Sequence, residues 1–178
     1  MPKLRVFESI SVDGYFCDAR GDISWAHNRD PEFDAWVGGS ASGGGALLFG
    51  RVTYEMMVAF WPTPAAAQQM PVVAKGMNAA AKYVVAHSLE PTWNNTTALR
   101  SIDDVRKVRA ELPGITLLGS GDLAAQLGAA GLVDEYQFVI VPAALGGGRT
   151  VFSAKRELRL IDQRVFKNGN VVVTYAAA

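Results

Sequence analysis

The segment Ile115-Thr116-Leu117-Leu118-Gly119-Ser120-Gly121-Asp122-Leu123-Ala124-Ala125-Gln126-Leu127 constrains the fold of this chain more than any other. A short apolar run stops at two glycines around a serine, and a helical pattern begins at once. The sequence therefore predicts a strand, a tight corner and a helix in immediate succession. At such a corner the first amides of the helix point outward and the helix dipole favours negative charge, so a phosphate can sit there. Glycine lets the backbone take unusual dihedrals and lets a ligand approach the main chain. A plain strand-to-helix turn would have the same composition, and both readings stand at this level.

Residues Gly119 to Ala124 formally satisfy the G-x-G-x-x-A dinucleotide fingerprint. A true fingerprint usually opens its fold and is followed, about 20 residues on, by an acidic residue ending the second strand. Here the match lies two-thirds of the way along, and the nearest acids, Asp134 and Glu135, precede their strand. The conventional Rossmann arrangement is excluded. No G-x-x-x-x-G-K-[ST] loop is present, which argues against an ATPase or kinase of that type.

Around this corner the chain alternates strand and helix signals. Lys3 to Ser11 reads as a first strand, followed by a loop rich in Gly and Asp. A helix is expected from Pro31 to about Gly38 with Asp30 as cap, then a Gly/Ser connector from Ser40 to Gly45. Ala46 to Phe49 reads as a short buried strand that runs through Gly50 into a helix from Arg51. Ala65 to Ala81 is helix-compatible, with Pro71 beginning or breaking a turn. Tyr83 to Ala86 is a strand, and Ser101 caps a helix reaching about Leu112. After the strand Tyr136 to Val141, the segments Leu158–Phe166 and Val171–Tyr175 flank Lys167-Asn168-Gly169-Asn170, where Asn-Gly signals a hairpin. The pattern predicts an α/β fold: a mixed sheet, helices on both faces and a C-terminal antiparallel hairpin.

The 178 residues suit one domain spanning 1–178, burying roughly 70% of its unfolded surface. With 17 basic and 17 acidic residues the net charge is zero, so neither nucleic acid nor an anionic membrane is expected as a partner. No apolar run approaches the ~20 residues of a membrane span. The first residues alternate like a strand and lack a signal-peptide core, and Cys17 is the only cysteine, so a cytoplasmic location is expected. His27, His87 and Cys17 show no metal-ligand spacing, and no metal is expected.

Two further constellations carry chemistry. Leu47 to Glu55 repeats the strand-glycine-helix theme, with Arg51 supplying a planar cationic fork and Thr53 a hydroxyl. Taken singly it is equally a tight turn with a solvated arginine. Two such corners in one sheet match the pyrophosphate and the separate 2′-phosphate of a dinucleotide. The second, Ser9 to Phe16 leading to Gly21-Asp22-Ile23-Ser24-Trp25, could fold over a flat ring or form an irregular hairpin whose Asp and Gly residues make turns.

The motifs Ser11-Val12-Asp13-Gly14, Gly50-Arg51-Val52-Thr53-Tyr54-Glu55, Gly119-Ser120-Gly121 and Gly131-Leu132-Val133-Asp134-Glu135 occur in that order. They are followed by Pro142-Ala143-Ala144-Leu145-Gly146-Gly147-Gly148 and the Asn168-Gly169 hairpin. In this combination, across the whole chain, the sequence resembles the dihydrofolate reductase-like family. The branch is the one related to the C-terminal reductase domain of bacterial riboflavin biosynthesis. The resemblance implies a three-layer fold around a mixed sheet, NADPH as hydride donor, a small-molecule substrate and a homodimer. It also implies that Gly119, Ser120, Gly121, Asp122 and Leu123 hold the pyrophosphate. Gly50, Arg51, Val52 and Thr53 would hold the adenosine side, with Ser88 at a position that contacts the adenosine phosphate. Ser11, Asp13 and the loop reaching Trp25 would border the nicotinamide and substrate.

Asp34, on the first expected helix, resembles the substrate-facing carboxylate of dihydrofolate reductases and with Asp13 is the candidate for proton chemistry; it could equally face water. His87 stands where relatives carry Arg or Lys, which leaves the preference for NADPH over NADH open. Phe60-Trp61-Pro62-Thr63-Pro64 supplies no arginine for a folate glutamate tail. The sequence thus points to an NADPH-dependent reductase of a small heterocyclic or carbonyl compound. The alternatives are a nucleotide-binding protein without turnover and a dihydrofolate reductase.

Overall fold

The structure is a computed structural model, described here for residues 3–28, 30–41 and 45–178. In chain order the elements are β1 (Lys3–Ser11), β2 (Tyr15–Cys17), a 3-10 turn (Ser24–Ala26), α1 (Pro31–Ala41), β3 (Ala46–Gly50) and α2 (Arg51–Phe60). Next come α3 (Pro64–Gln69), α4 (Pro71–Ala79), β4 (Lys82–Val85), β5 (Thr96–Leu99), α5 (Ile102–Glu111) and β6 (Gly114–Leu118). The chain closes with α6 (Gly121–Ala129), β7 (Glu135–Val141), β8 (Arg149–Thr150), β9 (Leu158–Val165) and β10 (Val171–Ala177).

Eight strands form one sheet in the order β5-β4-β3-β6-β1-β7-β10-β9. The six from β5 to β7 run parallel, and β10 is antiparallel to both β7 and β9. This is the mixed sheet with an antiparallel C-terminal hairpin that the sequence predicts. Alternation along β1 explains the layering. Leu4 and Val6 point to one face, where Val105 of α5 and Leu123 and Leu127 of α6 complete the main core. Phe7 points to the other, against Trp36 of α1. Beside it Tyr54 of α2 and Val73 and Met77 of α4 pack on Phe49, Val84 and Trp93.

Local signals set most boundaries. Ser101 accepts from the Asp104 amide and starts α5, and Thr63 does the same for α3 before Pro64. Pro71 divides the Ala-rich stretch into α3 and α4. The α1 helix runs past Gly38 to Ala41, so Ser40 belongs to it; residues 42–44 of the expected connector lie outside the described residues. The strand expected at Tyr83–Ala86 is shifted by one residue to Lys82–Val85. Three strands go beyond the sequence expectation. The polar β5 is carried at the sheet edge by β4 alone, and β2 pairs with β8 in a two-stranded ribbon.

Candidate functional site

The chain leaves β1 and β3 toward one edge of the sheet and β6 toward the other. The crevice at the carboxyl ends of these strands is where open α/β sheets take ligands. A cleft of about 660 Å³ lies there. Its wall includes every residue of the two glycine corners, Gly50 to Thr53 and Gly119 to Leu123. The corners touch: the Gly50 amide donates to Ser120 Oγ across 2.8 Å. Gly119 and Ser120 both lie in the left-handed region, at φ 57° and 64°. A Cβ at Gly119 would come within 3.3 Å of Thr53 Cγ2, and one at Gly121 would overlap the Phe16 ring. Glycine at 119 lets the two helix starts come this close, and glycine at 121 lets Phe16 of β2 pack against the start of α6.

Neither α2 nor α6 has a side-chain cap at its N-terminus. Away from the cleft, α1, α3 and α5 are capped by Asp30, Thr63 and Ser101. The other uncapped case, α4, opens with Pro71. The first amides of a helix need partners from a cap, water or a ligand. Two helix starts that lack caps and share one cleft form a cradle suited to a polyanion.

Cations flank the cradle. Arg51 pairs with Glu55 at 3.0 Å on the surface of α2, an i,i+4 contact that contributes roughly 0.3–0.5 kcal/mol and is readily exchanged for a ligand. Arg149 reaches Asp122 at 2.9 Å and Cys17 Sγ at 3.3 Å, so the acid of the second corner is neutralised. At the far side Arg100 donates to the carbonyls of Ala86 and Leu89, beside His87. Deeper in, the wall is apolar, with Phe7, Leu47, Met57, Trp61 and Val73. Arg5 and Gln137 close its polar end, held by Glu135 at 2.8 Å and Thr174 at 3.0 Å. An apolar slot between an anion cradle and a few fixed polar groups suits a nucleotide beside a flat ring.

The RibD C-terminal domain family matches residues 2–174. The chain belongs to that family. Similarity also extends to YyaP of Bacillus subtilis (strain 168), 24% identical over 175 residues, 94% of this chain and 90% of YyaP. Among solved structures, a candidate riboflavin biosynthesis protein from Shewanella sp. PV-4 superposes with a TM-score of 0.70 at 20% identity, over 99% of both chains. Dihydrofolate reductase from Enterococcus faecalis, complexed with NADP(H) and RAB-propyl, gives a TM-score of 0.65 at 14% identity. That match covers 98% of this chain and 96% of the other. Both likenesses establish the fold.

In this RibD C-terminal domain the residues nominated for the cofactor and those nominated for proton chemistry part company. Gly50–Thr53 and Gly119–Leu123 line the cleft, whereas Ser88 is exposed outside its wall and His87 takes the nearer place. Ser11, Asp13, Trp25 and Asp34 are not among the lining residues. Ser11 is buried and donates to Asp13 Oδ1 at 2.6 Å while accepting from the Tyr15 amide. Asp13 also accepts from the Leu145 and Gly146 amides, at 3.0 and 2.7 Å. Its carboxylate fastens the loop after β7 to the loop after β1. Those bonds, Ser11 first, hold its pKa down at about 2, the state of a fixed anion. Trp25 donates to the Asp22 carbonyl from the 3-10 turn, and its neighbours Ala26 and His27 are the ones on the wall. Asp34 is half-buried on α1, and the helix reaches the cleft further on through Val37 and Ser40.

Glu8 is the cleft carboxyl that sequence reasoning missed. It is 8% exposed, and burial pushes its pKa up to about 8 against one opposing bond from the Ser9 amide. Its Oε2 is buried without a hydrogen-bond partner among the described residues. The available signal was the alternation itself: in Leu4-x-Val6-x-Glu8 a lone acid continues the inward-facing set of an otherwise apolar strand.

Proposed function

We propose that this RibD C-terminal domain is an NADPH-dependent reductase of a small heterocyclic or carbonyl compound. One observation carries the reading: the two N-termini of α2 and α6, free of side-chain caps, meet at a single cleft through the Gly50–Ser120 bond. The amides of residues 119–123 would bind the pyrophosphate, and Arg51 with Thr53 the phosphate on the adenosine side. The bound cofactor supplies the hydride. The protein orients it and, through the apolar wall at Phe7, Met57 and Trp61, excludes water from the ring beside it. The complex of the Enterococcus faecalis relative with NADP(H) supports the choice of cofactor.

Titration with NADPH should quench tryptophan fluorescence, since Trp61 lines the cleft, and raise the melting temperature. Absence of both effects would remove the reading. Arg51→Ala should lose mainly its preference for NADPH over NADH; equal weakening toward both would remove the 2′-phosphate role from Arg51.

A binding protein without turnover is the second reading, favoured by the placement of Asp13 and Asp34 away from the cleft wall. NADPH binding with no oxidation across a panel of carbonyl and pterin compounds would select it. A homodimer and a cytoplasmic location complete the proposal. The exposed edge strand β9, with Leu160 at 49% and Val165 at 70% exposure, supports the dimer. Light scattering should give twice the 19.0 kDa chain mass. Among the described residues no helix is long and apolar enough to cross a membrane.

A further inference from the structure

Resting on the reductase reading, we propose that Glu8 is a proton-dependent binding residue: its protonated carboxyl donates a hydrogen bond to a ribose or phosphate oxygen of the bound dinucleotide, and loss of that proton weakens binding.

The geometry comes first. Glu8 is more than nine-tenths buried on β1, at the floor of the cleft where the two corners meet. Oε1 accepts from the Ser9 amide at 3.2 Å, whereas Oε2 has no partner among the described residues. Oε2 lies 4.0 Å from where a Gly119 Cβ would stand, and the Thr53 hydroxyl lies 3.6 Å from the same point. A buried polar atom left without a partner costs free energy, about 1–3 kcal/mol. A ligand filling the cleft can supply that partner and recover the cost.

The chemistry gives the sign. A neutral carboxyl is a donor through its hydroxyl, and a carboxylate is an acceptor only. An anion cradle requires the donor form, because a second negative charge in the same low-dielectric floor would repel the phosphates. Burial holds Glu8 neutral up to about pH 8 in the free protein. Binding a polyanion raises that value further, so binding above this pH takes up a proton.

Other charged and titratable groups share the cleft: Arg51 on α2, Asp122 on α6 with Arg149 on β8, and Arg5 on β1. Cys17 on β2, His27, and His87 and Arg100 beyond β4 complete the set. All are retained in Glu8→Gln, which keeps a donor at this position and removes its titration. Any pH dependence that survives the substitution belongs to them.

The test is calorimetric titration of NADPH and NADH into wild type and Glu8→Gln, from about pH 6.5 to 10, in buffers of different ionisation heat. NADH controls for the 2′-phosphate. Wild-type affinity should hold to about pH 8 and then fall, approaching tenfold per pH unit, with proton uptake on binding. Glu8→Gln, whatever its affinity at pH 7, should show neither the fall nor the uptake. Constant wild-type affinity through pH 10, or the same fall in both proteins, would overturn the proposal. If Glu8→Gln fails to fold, the same titration of Cys17→Ser, which removes the thiol from the cleft, decides at about pH 9: proton uptake that persists supports the role of Glu8, and uptake that vanishes removes it. Failure of wild type to bind NADPH at pH 7 would instead sink the reductase reading, and this one with it.

Discussion

The Gly50 amide and the Ser120 hydroxyl, 70 residues apart, meet at 2.8 Å and tie the start of α2 to the start of α6. Ser120 makes this bond from φ 64° and ψ 52°, a region that costs an L-residue roughly 1–2 kcal/mol. Two substitutions separate bond from strain. Ser120→Ala keeps the strain and leaves the Gly50 amide without its partner, so it should destabilise by about 1–2 kcal/mol. Ser120→Gly loses the same bond and relieves the strain, so its urea midpoint should lie closer to wild type. A glycine variant less stable than the alanine variant would contradict this account.

Gly121 stands where α6 begins, with the Phe16 ring directly against its Cα. Gly121→Ala places a methyl inside that ring, so the buried Phe16 or the start of α6 must shift. Overpacking of this kind costs about 1–3 kcal/mol. Combining it with Phe16→Leu should recover part of the loss. Additive losses in the double variant, measured by chemical denaturation, would show that the methyl and the ring do not conflict.

Asp13 should act in acid. Its carboxylate accepts from Ser11, Leu145 and Gly146, and its folded pKa of about 2 lies below the ordinary 3.8. A depressed carboxylate contributes stability above its unfolded pKa and loses it as pH falls through the folded one. Melting temperature should therefore drop more steeply between about pH 4 and 2 in wild type than in Asp13→Asn, which cannot ionise. Parallel curves across that window would show that the loop fastening does not depend on charge.

The glycine corners were legible in the sequence because a glycine between an apolar run and a helix start is a local signal, and the fold uses each one: Gly119 takes a left-handed φ, Gly121 faces the Phe16 ring and Gly50 lies close against Ser120. The parallel core strands and the Asn168-Gly169 hairpin were legible from apolar runs and turn chemistry. By contrast β5, Thr-Thr-Ala-Leu, has no apolar signature, because it is a sheet edge held by backbone bonds to β4. The proton-chemistry candidates depended on where side chains end up in space. Asp13 looked available in sequence, yet its partners at Leu145 and Gly146 are more than 130 residues away. Glu8 belongs to no sequence motif, and strand alternation carried through to the fold turns it inward beside Gly119.

That burial gives Glu8 the opposite sign from Asp13 in stability. Its pKa rises from 4.5 unfolded to about 8 folded, so between these values the folded state holds more of the proton than the unfolded chain. Stability then falls as pH rises from about 4.5 to 8 and levels off above it. Glu8→Gln removes this titration. Every tenfold gain in proton affinity on folding corresponds to about 1.4 kcal/mol, so wild type should lose up to roughly 4–5 kcal/mol relative to the variant across the window. The two proteins should therefore be closest near pH 4, and the variant should gain steadily on wild type toward pH 8. Urea denaturation at several pH values reads the difference directly. A gap independent of pH would mean that Glu8 ionises in the folded protein as it does in water, and that the floor of the cleft is wetter than its packing indicates.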